Sequence, residues 1–226
     1  WSAAFFVLPS AVAAVPLLAG RGSNALGLRP AWALLAVLIL AVNLPVEVAA
    51  VQASHDTWMG YAYRQLGMEA SAIASYERAT ASAGVGRRAY EELADLHFQA
   101  GAYANAADVY RELLMVHGGD RANEVALAES YFRAGRADRA EMVLAELTEH
   151  DPWVGGRLGD ARAMQGNMEE AIVAYRQVLT TCPDSHRVRF NLAQVWETRS
   201  QLDSAAAHYG MLAGVEAWGR EAGWRL

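Results

Sequence analysis

The sequence contains no lysine, so all 19 of its basic side chains are arginines. A phosphate-binding loop that ends in Gly-Lys-Ser or Gly-Lys-Thr is therefore excluded. Acidic residues outnumber basic residues, 25 to 19, and arginines do not alternate with aromatic residues in any basic stripe. Because an acidic surface repels the phosphate backbone, we expect no nucleic-acid partner.

Cysteine is almost absent as well. Cys182 is the only one, which excludes an internal disulfide and a thiolate metal cluster. The histidines fall at unrelated positions, no two are four residues apart, and neither HExxH nor GxSxG occurs. We therefore predict that the chain is not an enzyme and has no catalytic, cofactor or metal site.

Charge is scarce at the start of the chain, where residues 1–51 contain only Arg21, Arg29 and Glu47. Two apolar segments, residues 3–19 and 31–49, are close to the length of about 17 to 25 residues that crosses a bilayer as a helix. A signal peptide or a buried core helix is the alternative, but the chain starts without the basic residues of a signal peptide. The sequence predicts two transmembrane helices in contact with the lipid bilayer.

The arginines near these segments predict their orientation. The loop at residues 20–30 carries Arg21 and Arg29, whereas no arginine follows the second segment before Arg64. By the positive-inside rule the loop is cytoplasmic and the rest of the chain is extracytoplasmic, which means periplasmic in a bacterium. His55 and Asp56 then fall just beyond the second segment, where a solvated turn at the membrane interface is favoured over a functional pair.

From residue 53 onward the sequence repeats every 34 residues. Gly67, Gly101 and Gly135 recur at this spacing, and each is followed by an alanine five residues later and a large apolar residue nine residues later. A small residue precedes each glycine by seven. Small residues let two antiparallel helices cross closely, and glycine fits the left-handed turn that ends the first helix.

This pattern resembles the tetratricopeptide repeat, a 34-residue unit of two helices. The resemblance implies an all-α solenoid of ten antiparallel helices between about residues 53 and 213, with no β-sheet. It covers about three quarters of the chain, with residues 52–219 as the solenoid and 214–226 as a capping tail. Residues 1–51, with the two apolar segments, form the predicted membrane part. Its five units fall near residues 53–86, 87–120, 121–151, 152–185 and 186–219.

The fourth unit departs from the spacing. Gly135 and Gly166 are 31 residues apart, and residues 153–159 contain three glycines, which are unfavourable in a helix interior. The sequence therefore predicts that the first helix of this unit starts late, near Gly156 or Arg157, and ends at Gln165. Trp153 would fold back on the third unit, and the superhelix would change pitch here.

The resemblance also implies a binding site, because in this family the first helices of successive units line a concave groove. Phe98 and Phe132 lie one repeat apart on that face, where they either contact a bound peptide or fill the gap between consecutive first helices. The residues predicted to line the groove are Tyr61, Arg64, Asp95, Phe98, Gln99, Glu129, Phe132, Arg133, Asp160, Met164, Phe190, Gln194 and Glu197.

Two functions fit these features. The first is a membrane-anchored scaffold for protein–protein interaction, an accessory or adaptor subunit of a larger membrane assembly such as a respiratory or photosynthetic complex. The second is the repeat-bearing C-terminal portion of a polytopic membrane glycosyltransferase whose active site lies upstream. The start at Trp1 rather than Met is compatible with such a longer polypeptide.

Overall fold

A computed structural model of the chain describes residues 29–82, 86–147 and 151–215. The predicted segment at 3–19 and most of the predicted capping tail lie outside these residues. Contacts divide the chain into two compact parts, residues 1–49 and residues 50–226.

The described residues form ten α-helices and no β-strand, as the repeat pattern predicts. The helices are α1 (Arg29–Gln65), α2 (Glu69–Thr80), α3 (Arg87–Gln99), α4 (Tyr103–His117), α5 (Arg121–Arg133), α6 (Ala137–Glu146), α7 (Pro152–Met164), α8 (Met168–Thr181), α9 (His186–Thr198) and α10 (Leu202–Leu212).

The helix α1 contains both the second apolar segment and the first helix of the first unit, which the sequence predicted as separate elements. Across the described residues, no helix is long and apolar enough to cross a membrane. The prediction of a solvated turn at Asp56 is wrong, because this residue is buried within α1. Its carboxylate accepts a hydrogen bond from Arg78 of α2, 3.3 Å away.

Glycines end the first helix of four units, as predicted. Gly67, Gly101, Gly135 and Gly166 have φ between 70° and 83°, and Ser200 takes the same left-handed conformation with φ 60°. At the first of these turns the backbone N–H of Met68 donates to the carbonyl of Tyr63 over 2.9 Å, which satisfies a carbonyl that the helix leaves free. The turn holds the two helices of a unit antiparallel.

The core consists of the residues that recur between the paired helices. The large residue nine positions after each turn is buried in all five units, as Tyr76, Tyr110, Leu144, Tyr175 and Tyr209. These side chains pack against the small residue of the first helix, for example Gly60 beneath Tyr76. Buried apolar residues form two clusters, one from Ala53 to Ala161 and the other from Ala171 to Leu212.

The predicted late start of α7 is wrong, because the helix begins at Pro152 and has 13 residues. The Asp151 side chain accepts a hydrogen bond from the Trp153 N–H over 2.9 Å, and proline is favoured in the first turn of a helix. Its glycines serve packing instead. A Cβ at Gly155 would lie 2.6 Å from Val178, and one at Gly159 would lie 2.4 Å from Tyr175.

Candidate partner-binding groove

Consecutive first helices in the second half of the solenoid are joined by polar side chains at fixed repeat positions. Positions are counted back from the turn residue that ends each first helix, here Gly135, Gly166 and Ser200. The residue six positions before one turn residue contacts the residue nine positions before the next turn residue. Glu129 accepts a hydrogen bond from Arg157 over 2.9 Å, and Asp160 accepts one from the Asn191 amide over 2.7 Å. The same register therefore links α5 to α7 and α7 to α9.

Asp160 has the most hydrogen-bond donors of this series. Besides Asn191, its carboxylate accepts from the Tyr175 hydroxyl at 2.8 Å, from Arg187 at 2.9 Å and from Arg157 at 3.3 Å. Only 9% of its side chain is exposed. Burial, followed by the charge and hydrogen bond of Asp160, raises the pKa of Tyr175, so this hydroxyl keeps its proton and donates. The arrangement fixes three helices around one carboxylate.

Arg157 occupies the space between two aromatic rings. Its guanidinium carbon lies 4.8 Å from the centroid of the Phe132 ring and 5.6 Å from that of Trp153. These distances are within the range of cation–π attraction. Trp153 therefore packs on the arginine of its own helix. Phe132 is half-buried and packs at the edge of the core, so it does fill the gap between first helices.

An open cleft of about 380 Å³ lies beside this network. Phe132 and Met164 give it apolar walls, and the Asn191 and Gln194 amides give it polar groups. The Gln194 amide has no hydrogen-bond partner among the described residues. The cleft is lined by Phe132, Asp160, Ala163, Met164, Met168, Tyr175, Asn191, Gln194, Val195 and Thr198. Four of the predicted groove residues, Phe132, Asp160, Met164 and Gln194, thus meet in one cleft.

The predicted residues of the first unit lie elsewhere and contact the second unit. Tyr61 is 42% exposed, and the Arg88 guanidinium lies 5.4 Å from its ring centroid. Arg64 forms an ion pair with Glu92 of α3. Both side chains are therefore engaged in contacts between units.

The predicted residues of the second unit are held by their own helix pair. Asp95 is exposed and accepts the Tyr110 hydroxyl over 2.5 Å, and Phe98 meets Tyr103 edge to face at 5.1 Å. Gln99 is exposed at the end of α3.

Three other predicted residues differ in exposure. Phe190 is only 9% exposed and packs edge to face on Tyr209, so it belongs to the core rather than to the groove face. Glu197 accepts the Tyr209 hydroxyl over 2.8 Å, and exposed Arg133 donates to Glu129 over 2.8 Å. The prediction of Phe190 fails because the apolar stripe of α9 faces the core there.

Sequence reasoning missed three residues that organise the cleft, Arg157, Arg187 and Asn191. The repeat register contains a signal for two of them, since Arg157 and Asn191 both stand nine residues before the turn residue of their units. Pairing this position with Glu129 and Asp160, the acids six residues before the preceding turn, identifies Arg157 and Asn191. No group of three metal-ligating side chains occurs within the part of the chain that the structure describes.

Comparison with known sequences and structures supports the repeat assignment. Three models of the tetratricopeptide repeat match residues 59–123, 97–152 and 155–195. No curated protein matches the chain significantly.

Solved structures show the same fold. MamA from residue 41 onward, from Desulfovibrio magneticus RS-1, superposes with a TM-score of 0.63 at 14% identity, over 74% of this chain and 96% of that one. YrrB, described as a TPR protein with an unusual peptide-binding site, gives 0.60 at 16% identity, over 72% and 85%. TTC0263, a thermophilic TPR protein from Thermus thermophilus, gives 0.51 at 19%, over 76% and 98%. The chain therefore contains tetratricopeptide repeats that build an α-solenoid.

Proposed function

We propose that the chain is a scaffold for protein–protein interaction, and that the cleft beside Asp160 binds an extended peptide segment of a partner. The observation that supports this is the composition of the cleft, which combines the Asn191 and Gln194 amides with the apolar side chains of Phe132 and Met164. Amides can pair with the N–H and C=O groups of a peptide backbone, and the apolar walls accept its side chains. A peptide-binding site is also named for the structurally similar YrrB.

A photo-reactive amino acid placed at Gln194 tests this function. Gln194 lines the cleft and is half-buried, whereas Gln177 on α8 is exposed and lies outside the cleft. In native membranes we expect a cross-linked partner from position 194 and none of the same mass from position 177. Equal cross-linking from both positions would contradict a specific groove.

A variant that fills the cleft provides the second half of the test. Met164 is 53% exposed at the cleft wall, and Met142 is 69% exposed on α6, outside the cleft. We expect Met164→Arg to reduce the cross-link from position 194 at least tenfold, because the longer charged side chain occupies the apolar wall. Met142→Arg is the matched control and should leave it unchanged.

The scaffold is further proposed to be membrane-anchored and to serve as an accessory subunit of a larger membrane complex, with its repeats on the periplasmic side. The support is the apolar sequence at residues 3–19 and 31–49 and the arginines between them. Protease added to the outer face should then digest the repeats. Protection of the repeats there, with cleavage only from inside, would reverse the orientation.

The alternative, that the repeats end a longer membrane glycosyltransferase, predicts a larger native polypeptide. It is supported by apolar segments that run directly into repeats. Intact-mass measurement and N-terminal sequencing of the protein from its native membrane separate the two, because only the glycosyltransferase requires catalytic residues upstream of residue 1.

A further inference from the structure

A second cleft, of about 300 Å³, lies between the second helices of the first two units. Its walls come from the end of α2 and from α4, and α3 forms its floor. The lining residues are Glu77, Thr80, Ala81, Leu93, His97, Val109 and Glu112. None of them lines the groove beside Asp160, which is built by α5, α7, α8 and α9.

The two carboxylates of this cleft are exposed and have no cationic partner among the described residues. Elsewhere in the solenoid, five carboxylates are paired with arginines of neighbouring helices: Arg64–Glu92, Arg87–Asp120, Arg157–Glu129, Arg162–Glu141 and Arg187–Asp160. Glu77 and Glu112 form no ion pair with any described residue. Glu112 accepts only a long hydrogen bond, 3.4 Å, from the Tyr90 hydroxyl. The cleft therefore has negative charge without a matching cation.

The end of α2 adds to this negative potential. Thr80 is the last residue of the helix, and both it and Ala81 line the cleft. The unpaired carbonyls at a helix C-terminus carry a partial negative charge that favours cations nearby. Among the residues that the structure describes, the backbone carbonyl of Thr80 accepts a hydrogen bond only from the Tyr90 hydroxyl, at 3.3 Å.

His97 is the independent sign that the cleft receives a ligand. Only 8% of this residue is exposed, it lines the cleft, and its imidazole forms no hydrogen bond with any described residue. Its ring nitrogens are not fully enclosed, so they stay accessible to a ligand in the cleft. Burial lowers the pKa of His97, while Glu77 raises it to a smaller extent. The neutral ring offers a lone pair and does not repel a cation.

We propose that this cleft binds an arginine side chain of a partner protein. A guanidinium has five N–H donors in a planar fork, which can reach Glu77, Glu112 and the lone pair of His97 from one position. Its alkyl stem would lie along Leu93 and Val109. A metal ion fits less well, since no three ligating groups are arranged for one among the residues described. The site goes beyond the peptide groove, because it uses other helices and other chemistry.

The test is an NMR titration of the full chain in detergent with N-acetyl-arginine amide, observing the His97 ring and the Leu93 methyl signals. We expect saturable shifts of both sets of signals. N-acetyl-citrulline amide has the same shape without the charge and should cause none. Equal shifts with the two probes, or none with arginine, would overturn the proposal without requiring any variant.

Variants locate the site. Glu77→Gln with Glu112→Gln keeps the size of both side chains and should weaken arginine binding at least tenfold. Glu146 stands at the same repeat position in the third unit as Glu112 and is exposed, so Glu146→Gln is the matched control and should not change binding. Unchanged affinity in the double variant would overturn the site. Met164→Arg tests the groove separately and should leave these shifts intact.

Discussion

At the scale of single residues, Asp160 links the second half of the solenoid through its four donors. Arg157 lies on its own helix, Tyr175 on α8, and Arg187 and Asn191 on α9. Asp95 stands at the same repeat position in the second unit but accepts only the Tyr110 hydroxyl and is exposed. The two acids therefore differ in burial and in number of partners, although the sequence presents them as equivalents.

This difference predicts unequal losses of stability. Asp160→Ala leaves Arg187, the Tyr175 hydroxyl and the Asn191 amide without their acceptor, whereas Arg157 keeps Glu129. Breaking a buried charge pair typically costs about 3 to 5 kcal/mol. Asp95→Ala removes one partly buried hydrogen bond, that of the Tyr110 hydroxyl, which costs about 1 kcal/mol. Urea unfolding followed by circular dichroism measures both. A loss for Asp160→Ala no larger than that for Asp95→Ala would show that the network does not stabilise the repeats.

The groove residues show where sequence reasoning succeeds and where it stops. Spacing placed Phe132, Asp160, Met164 and Gln194 on one face, and they do meet. It could not place Phe190, because the same face of a first helix turns into the core where the next second helix, α10, packs against it with Tyr209. It also could not show that Asp160 is saturated by donors, since those come from three helices whose register depends on packing.

At the scale of elements, α7 shows why composition alone misjudged a helix. Glycine lowers the stability of a helix relative to alanine when the helix is exposed. In the solenoid the glycines of α7 allow the helix to approach α8 and α9: a Cβ on Gly156 would meet Arg187 at 2.9 Å and Val188 at 3.0 Å. The packing that these contacts permit outweighs the helix propensity lost, so the repeat keeps its first helix despite the shortened spacing.

The crossing of α7 and α8 predicts opposite effects of the same substitution at two glycines. In Gly159→Ala the new methyl would lie 2.4 Å from the Tyr175 ring, which cannot move away because its hydroxyl is bound to Asp160. We expect a loss of about 1 to 3 kcal/mol, typical of overpacking. At Gly210 in α10 nothing lies within 4 Å of the new methyl, so Gly210→Ala should gain up to about 1 kcal/mol.

Thermal or urea unfolding of the two glycine variants distinguishes packing from propensity. If Gly159→Ala stabilised the protein, as Gly210→Ala is expected to, the close approach of α7 and α8 would not require glycine at position 159. The equivalent residues of the second and third units, Ala94 and Ala128, carry this methyl and are fully buried. The prediction is therefore strongest for the fourth unit, where the added Cβ would lie 2.4 Å from the Tyr175 ring, against 2.8 Å from the Tyr76 ring at Gly60.

At the scale of the whole molecule, the repeats combine an apolar core with ion pairs in which every base is an arginine. Pairs such as Arg162–Glu141 join the second helix of one unit to the first helix of the next. The Arg162 hydrogen bond lowers the pKa of Glu141, so this contact persists in mild acid. Stability in that range should therefore be limited by other groups, and the buried His97 and the half-buried His208 are the candidates.

Burial lowers the pKa of both His97 and His208, and for His208 the charges of Arg189 and Arg176 lower it further. In the unfolded chain each histidine returns to a pKa near 6.5. Between the lowered pKa and 6.5 the unfolded state therefore binds more protons than the folded state. The free energy of unfolding rises with pH across this window and falls as the solution is acidified through it.

We therefore expect the protein to be most stable above pH 6.5 and to lose stability steadily as the pH falls toward the lowered pKa values. Urea unfolding between about pH 7.5 and about pH 5 measures the slope. His97→Gln and His208→Gln should each make it shallower, because glutamine cannot take up the proton that favours unfolding. His55→Gln is the matched control, since His55 is exposed in the folded chain and its removal should leave the slope as it is. A slope that none of these substitutions changes would assign the acid sensitivity to other groups and would mean that the rings of His97 and His208 accept protons without opening the repeats.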